Sequence, residues 1–94
     1  MIIRTAAKRD IVDVVTWYEE RKEGLGKAFR SVIDRVFERV EAMPEAHRIV
    51  HRTTRRAVVS GFPYAIYYKI ENGEVIVLAV IHSHRDSQDW QSRT

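Results

Sequence analysis

Apolar positions along this 94-residue chain follow two different periods. In the first half they recur every three or four residues, which is typical of amphipathic helices. In the second half they form continuous runs, which are typical of buried strands. The change comes close to Pro44, so we expect helices followed by strands.

The first half predicts two helices, over residues 6–22 and residues 25–43, each with apolar side chains along one face. Gly24 and Gly26 interrupt the pattern between them, and Pro44 ends the second helix because proline cannot continue the hydrogen-bond ladder. Since the connection is short, the two helices should pack as an antiparallel hairpin.

The safest strand prediction is a hairpin turning at Asn72-Gly73, a dipeptide that supplies the two positive φ angles of a type I′ turn. Residues 75–81, which follow the turn, are apolar at every position and should form a central strand buried on both faces. The turn predicts these cross-strand pairs: Ile70 with Val75, Tyr68 with Val77, Ile66 with Ala79, and Tyr64 with Ile81.

Two further strands complete the predicted fold. Ile2 and Ile3 suggest a short strand at the start, and Thr53, Thr54, Ala57, Val58 and Val59 favour an extended strand that ends at Ser60-Gly61. The order is then β-α-α-β-β-β. We predict a single α+β domain over residues 1–94, with the helical hairpin packed on one face of a mainly antiparallel, four-stranded twisted sheet.

The amino-acid composition excludes several kinds of chemical site. There is no cysteine, so disulfides, thiolate metal sites and a cysteine nucleophile are unavailable. No apolar run approaches the roughly 18 residues that a membrane span needs, so we expect a cytoplasmic protein without membrane contact. His82 and His84 could share a strand face, but no third metal ligand is apparent. We therefore predict no metal and no cofactor.

Positive charge is concentrated in the second half. Residues 1–46 carry nine Lys/Arg and nine Asp/Glu, whereas residues 47–94 carry seven and four, which accounts for the whole net charge of +3. The densest segment holds Arg48, Arg52, Arg55 and Arg56 with no acidic residue among them. Such a surface attracts acidic protein or nucleic acid.

Several signatures occur in a fixed order along the chain. They are Leu25-Gly26 with Phe29, Met43-Pro44, Phe62-Pro63-Tyr64 with Ile66 and Tyr68, the apolar residues 77–81, His82, Arg85 and Trp90. In this order they resemble the RelE/ParE family of toxins from bacterial type II toxin-antitoxin systems, over nearly the whole chain. The resemblance implies a cytoplasmic toxin that a cognate antitoxin binds and neutralises in a hetero-oligomer.

The family resemblance implies two different targets. ParE-like members, which are associated with plasmid stabilization, inhibit DNA gyrase and have no catalytic activity of their own. RelE-like members are mRNA interferases that cut mRNA on the ribosome. The Phe62-Pro63-Tyr64 motif and the ending from His82 to Trp90 look more like the ParE branch. We therefore expect a gyrase inhibitor, with a ribosome-dependent endonuclease as the alternative and an inactive member that only binds its antitoxin as a weaker one.

Candidate site residues depend on that choice. In a RelE-like enzyme, Arg85 would face the phosphate, Arg55 or Arg56 would lie beside it, and His82 or His84 would act as acid or base. The match is incomplete, because no tyrosine follows Tyr68 and Trp90 stands where a catalytic tyrosine is expected.

For target or antitoxin binding, the candidates are Arg48, Arg52, Arg55, Arg56, Tyr68 and Trp90. Structural roles compete with these functional ones. Arg85 could pair with Asp86 or Asp89, His82 could be a partly buried structural histidine, and Trp90 could pack on the sheet edge.

Overall fold

The computed structural model describes residues 1–84 and 88–94. The elements are β1 (Ile2–Ile3), α1 (Thr5–Arg21), α2 (Leu25–Ala42), a single 3-10 turn (Pro44–Ala46), β2 (Arg48–His51), β3 (Thr54–Val58), β4 (Tyr64–Glu71), β5 (Glu74–His82) and α3 (Gln88–Gln91). The α+β class is confirmed, as is the order of strand, two helices and then strands in one sheet. Both long helices lie within one residue of their predicted ends.

The sheet has five strands in the order β1-β5-β4-β3-β2. β1 runs parallel to β5, and the other neighbours are antiparallel, so the sheet is mixed. The prediction of four strands is therefore wrong by one. The extra strand is β2, which forms in the basic segment just before the strand predicted around residues 53–59, and that predicted strand is β3.

A turn at Arg52-Thr53 separates these two strands. Arg52 has a φ of 52°, in the left-handed region where glycine and asparagine are the usual residues. The sequence therefore carries no local signal for this turn. The β2–β3 pairing is also irregular between Ile49 and His51, which is common at the edge of a sheet.

The β4–β5 hairpin turns at Asn72 and Gly73, which have φ angles of 51° and 77°, as predicted. The predicted pairs next to the turn are confirmed. Beyond them a β-bulge shifts the register, because Tyr68 pairs with Val77 whereas Tyr67 pairs with Ala79. Leu78 is the extra residue.

The two predicted pairs beyond the bulge are accordingly wrong. The observed pairs are Ile66 with Val80 and Tyr64 with His82, in place of Ile66 with Ala79 and Tyr64 with Ile81. The bulge also changes the phase of β5. Val77 and Val80 face the helices, although three residues separate them, while Ala79 and Ile81 face the opposite side.

We call the two sides of the sheet the helix face, covered by α1 and α2, and the open face. An aromatic cluster fastens the helical hairpin to the start of β4 on the helix face. Ring centroids of Tyr18 and Phe29 lie between 5.0 and 6.1 Å from those of Phe62 and Tyr64. Such pairs add about 0.5–1.5 kcal/mol each beyond the area that they bury.

The helical hairpin depends on a close approach at Gly26. The carboxylate of Glu19, near the end of α1, accepts hydrogen bonds from the backbone N–H groups of Gly24 and Gly26 at 2.8 and 3.0 Å. These are orphan donors at the beginning of α2, and Glu19 satisfies them. A Cβ atom on Gly26 would collide with the backbone carbonyl oxygen of Val15.

Gly26→Ala should therefore lower the free energy of unfolding by about 1–3 kcal/mol, because the two helix backbones must move apart. Helix propensity alone predicts the opposite sign, a gain of up to about 1 kcal/mol from replacing glycine by alanine. Urea denaturation followed by far-UV circular dichroism measures the difference. A stabilised variant would show that the close helix contact is not limiting.

Candidate functional site

The basic segment lies at one edge of the sheet and divides between its two faces. Arg48 and Arg56 are directly opposite each other across β2 and β3, and Arg56 is in turn opposite Tyr67 of β4. Because opposite residues point to the same side, both arginines lie on the open face. Arg52 is exposed in the turn between the two strands.

Arg48 and Arg56 form a like-charge pair, which destabilises an antiparallel sheet. Among the side chains that the structure describes, no carboxylate lies within ion-pairing distance of either of them. By contrast, Lys69 on the same face has its ammonium 2.7 Å from the carboxylate of Glu71. Among the described side chains, the arginine pair is thus a patch of positive charge without a carboxylate partner, and an anionic partner would relieve the repulsion.

An aromatic stack adjoins this arginine pair. The ring of Trp90, in α3, lies 4.5 Å from the ring of Tyr67 at an interplanar angle of 12°, and the ring of His51 lies 5.7 Å from Trp90. Trp90 is 6 % exposed and Tyr67 only 2 %. Burial raises the pKa of Tyr67, and the charge of Arg56 opposes that rise. In this conformation Trp90 packs on the open face, with little surface left for a partner.

Arg55 points to the other side, because it is opposite Tyr68, whose side chain belongs to the core under the helices. Its guanidinium donates hydrogen bonds to the carbonyl oxygens of Glu45 and His47 at 3.0 and 2.7 Å. The hydroxyl of Tyr68 donates to the carbonyl of Pro44 at 2.5 Å. Arg55 and Tyr68 thus hold the segment between α2 and β2 against the sheet.

The Nδ1 atom of His47 lies 3.2 Å from the hydroxyl oxygen of Tyr68 in the same cluster. Burial lowers the pKa of His47, and the positive charges of Arg39 and Arg55 lower it further. Burial also raises the pKa of Tyr68, which is 0 % exposed. Sequence reasoning grouped Arg55 and Tyr68 with the binding residues, whereas the structure gives both of them internal partners.

The histidines at the end of β5 form a separate group. The ring of His82 lies 5.4 Å from that of Tyr64, and its Nδ1 accepts a hydrogen bond from the backbone N–H of His84 at 3.1 Å. Tyr64 and Tyr68 are four residues apart on β4, so His82 lies about 13 Å along the sheet from Arg55. Arg85, Asp86 and the side chain of Asp89 lie outside the described residues.

Of the five predicted catalytic residues, all but Arg85 are described, and the structure does not bring Arg55 and Arg56 near the two histidines. Arg56 is on the open face, Arg55 is on the helix face, and His82 with His84 is at the far end of β5. Within residues 1–84 and 88–94, no three His, Cys, Asp or Glu side chains are close enough to hold a metal ion. The arrangement offers a charged and aromatic binding surface more readily than an acid-base pair.

One polar contact was not foreseen from the sequence. Asp10 of α1 and Arg93 of the tail form an ion pair, with Nη1 and Oδ2 2.6 Å apart. Asp10 lies between Ala7 and Val14 on the face of α1 that turns toward the sheet. An acidic residue among buried apolar positions is the one local signal that could have pointed to it.

Comparison with known families identifies the chain. The sequence profile described as "ParE toxin of type II toxin-antitoxin system, parDE" matches residues 1–87. The chain belongs to this ParE toxin family. The predicted RelE/ParE resemblance is confirmed, and membership implies a type II toxin with an antitoxin partner. No curated protein gives a significant match. Of the helices described, none has the length and apolar composition needed to cross a membrane.

The hydroxyl of Tyr68 should contribute to the stability of this ParE-family chain. Tyr68→Phe removes a buried hydrogen bond and leaves the carbonyl of Pro44 without that donor, so we expect a loss of about 1–2 kcal/mol in the free energy of unfolding. Tyr67→Phe is the matched control, because the Tyr67 hydroxyl makes no hydrogen bond to another described residue. Urea denaturation at pH 7.5 measures both. Equal effects would contradict the proposed role of Tyr68.

His47 should make stability depend on pH. Its pKa is lower in the folded chain than the usual value of about 6.5, so the unfolded chain takes up the proton first as pH falls. The folded state therefore loses stability from about pH 6.5 downward. The loss between pH 7.5 and 5.5 should be smaller in His47→Gln than in the wild type. Urea midpoints at both pH values test this.

Proposed function

We propose that this chain is a cytoplasmic toxin that inhibits DNA gyrase by binding, and that a cognate antitoxin neutralises it. The observation that carries the proposal is membership of the ParE toxin family, and the separation of Arg55 and Arg56 from His82 and His84 supports it. A binding inhibitor needs a complementary surface, whereas RNA cleavage needs an acid, a base and phosphate-binding cations within reach of one ribose.

The arginine pair of the open face is the surface that we assign to this role. Arg48 and Arg56 repel each other across the β2–β3 ladder, so an acidic partner gains both its own attraction and the relief of that repulsion. The antitoxin would cover this pair with carboxylates in the neutral complex. In the free toxin the same pair would face an acidic surface of gyrase.

A supercoiling assay tests the proposed activity. Purified toxin is added to gyrase, ATP and relaxed plasmid, and the inhibition of supercoiling and the accumulation of linear DNA are scored on a gel. We expect inhibition that rises with toxin concentration. If supercoiling is unchanged in large toxin excess while mRNA is cut on purified ribosomes, the RelE-like alternative replaces this proposal.

Reversing the charges of Arg48 and Arg56 tests whether this pair is the binding surface. The double variant Arg48→Glu with Arg56→Glu should lose roughly tenfold or more in inhibitory potency, because two attractive contacts become repulsive. Lys27→Glu with Arg35→Glu is the matched control, since it makes the same change in net charge at exposed positions of α2. Similar losses in both variants would show that only net charge matters, and would contradict the assignment of this surface.

A further inference from the structure

At the opposite edge of the sheet there is a stretch that no strand of the described residues covers. β1 pairs with β5 only at Ile76 and Val77, and the backbone N–H of Arg4 extends that ladder by one bond to the carbonyl of Val77. Beyond Val77, within the described residues, β5 has no strand on this side. An uncovered strand edge is a template for another extended chain.

Side chains occupy the first part of this edge. Asp10 Oδ2 accepts a hydrogen bond from the backbone N–H of Val80 at 3.0 Å, and Arg93 Nη1 donates to the carbonyl of Leu78 at 3.2 Å. The Asp10–Arg93 ion pair thereby makes the two hydrogen bonds to β5 that one residue of a neighbouring strand would make. The tail is tied down further, because Arg4 Nη1 donates to the carbonyl of Arg93 at 2.9 Å.

The next part of the edge faces a groove. The backbone N–H of Ser83 donates to the carbonyl of Pro63 on the β4 side. Because backbone groups of successive strand residues point to opposite edges, His82 presents its N–H and carbonyl to the other side, as Val80 does. These groups open into a groove of about 470 Å³ between α1 and β5.

The groove is acidic and aromatic, although the chain as a whole is basic. Asp10, Asp13, Trp17 and Tyr18 of α1 line one wall, and among the described residues no lysine or arginine lines it. Asp13 is exposed and has no ion pair with any side chain that the structure describes, and Trp17 is 47 % exposed. A cation therefore meets a carboxylate and the ring of an aromatic residue one helical turn apart on the same wall.

The walls of the groove already bind arginines of the chain itself. Nη1 of Arg93 lies 2.6 Å from Oδ2 of Asp10, and the guanidinium carbon of Arg21 lies 3.7 Å from the centre of the Trp17 ring. One carboxylate and one aromatic ring of the groove wall thus each have a guanidinium partner within the chain. Asp13 lies between Asp10 and Trp17 on α1, and of the two groove carboxylates it is the one without an ion-pair partner among the described side chains.

We propose that this groove binds an extended, basic segment of a partner protein. The segment adds a strand to β5 at His82, whose backbone N–H and carbonyl face away from β4, and one of its arginine or lysine side chains pairs with Asp13 while its aliphatic part packs on Trp17. The site lies at the sheet edge opposite to the arginine pair Arg48 and Arg56. The proposal is independent of gyrase inhibition, since an acidic surface would be repelled here.

A peptide titration of the full chain tests this site without gyrase or antitoxin. The probe is a seven-residue peptide of alternating valine and arginine, and its control has glutamate in place of arginine. Backbone amide signals of the ¹⁵N-labelled chain report where each binds. We expect the arginine peptide to shift the signals of residues 80–82 and the glutamate peptide to leave them unchanged.

Two variants and one modified peptide separate the parts of the proposal. Asp13→Asn should weaken binding of the arginine peptide roughly fivefold. Asp34 is an exposed aspartate of α2, and Asp34→Asn should leave that affinity unchanged. N-methylation of the peptide backbone should abolish binding, because strand addition needs its N–H groups.

Four results would overturn the proposal. They are no binding of the arginine peptide, equal binding of the glutamate peptide, equal affinity in Asp13→Asn and the wild type, and shifts confined to β2. If the N-methylated peptide binds as tightly as the unmodified arginine peptide, the groove still binds basic peptides, but strand addition is wrong. The supercoiling assay is a separate measurement, so failure of either proposal leaves the other standing.

Discussion

The burial of β5 on both faces is the constraint on which the rest of the structure depends. Val77, Leu78, Ala79 and Val80 are all 0 % exposed, and full burial of a valine or leucine side chain contributes about 1.5–3 kcal/mol. The helical hairpin covers one face, and α3 with Trp90 covers part of the other. β4 covers one edge along its whole length. On the other edge β1 covers two residues, and the Asp10–Arg93 pair continues from there.

The parts of the fold that were predicted correctly are those with local signals. The helix ends follow from Gly24 and Pro44, and the β4–β5 turn follows from Asn72-Gly73. The bulge at Leu78 has no such signal, because a strand that is apolar at every position contains no alternation from which its phase could be read. β2 was missed for a related reason, since Arg52 adopts a positive φ that its residue type does not favour.

The candidate site was less predictable than the fold, because it depends on which side each strand residue faces. Arg55 and Arg56 are adjacent in sequence and look equivalent there, but one holds the carbonyls of Glu45 and His47 and the other lies on the open face. Because successive residues of a strand point to opposite faces, the two arginines must separate in this way once β3 is located. The Asp10–Arg93 pair joins residues 83 positions apart, and only the tertiary structure brings them together.

The two edges of the sheet carry opposite charge, and this has a consequence for association between copies of the chain. Arginines at β2 disfavour pairing of two β2 edges, but they would attract the acidic edge of β5 in another copy, and head-to-tail contacts of that kind can propagate. The ion pair between Asp10 and Arg93 acts against this. It satisfies the carbonyl of Leu78 and the N–H of Val80 internally and neutralises one of the two carboxylates. Among the described residues, nothing covers the short stretch beside α1, where a single extended segment has more room than the edge of a folded sheet. The tail of the chain therefore protects this edge and, by covering only part of it, restricts what can bind there.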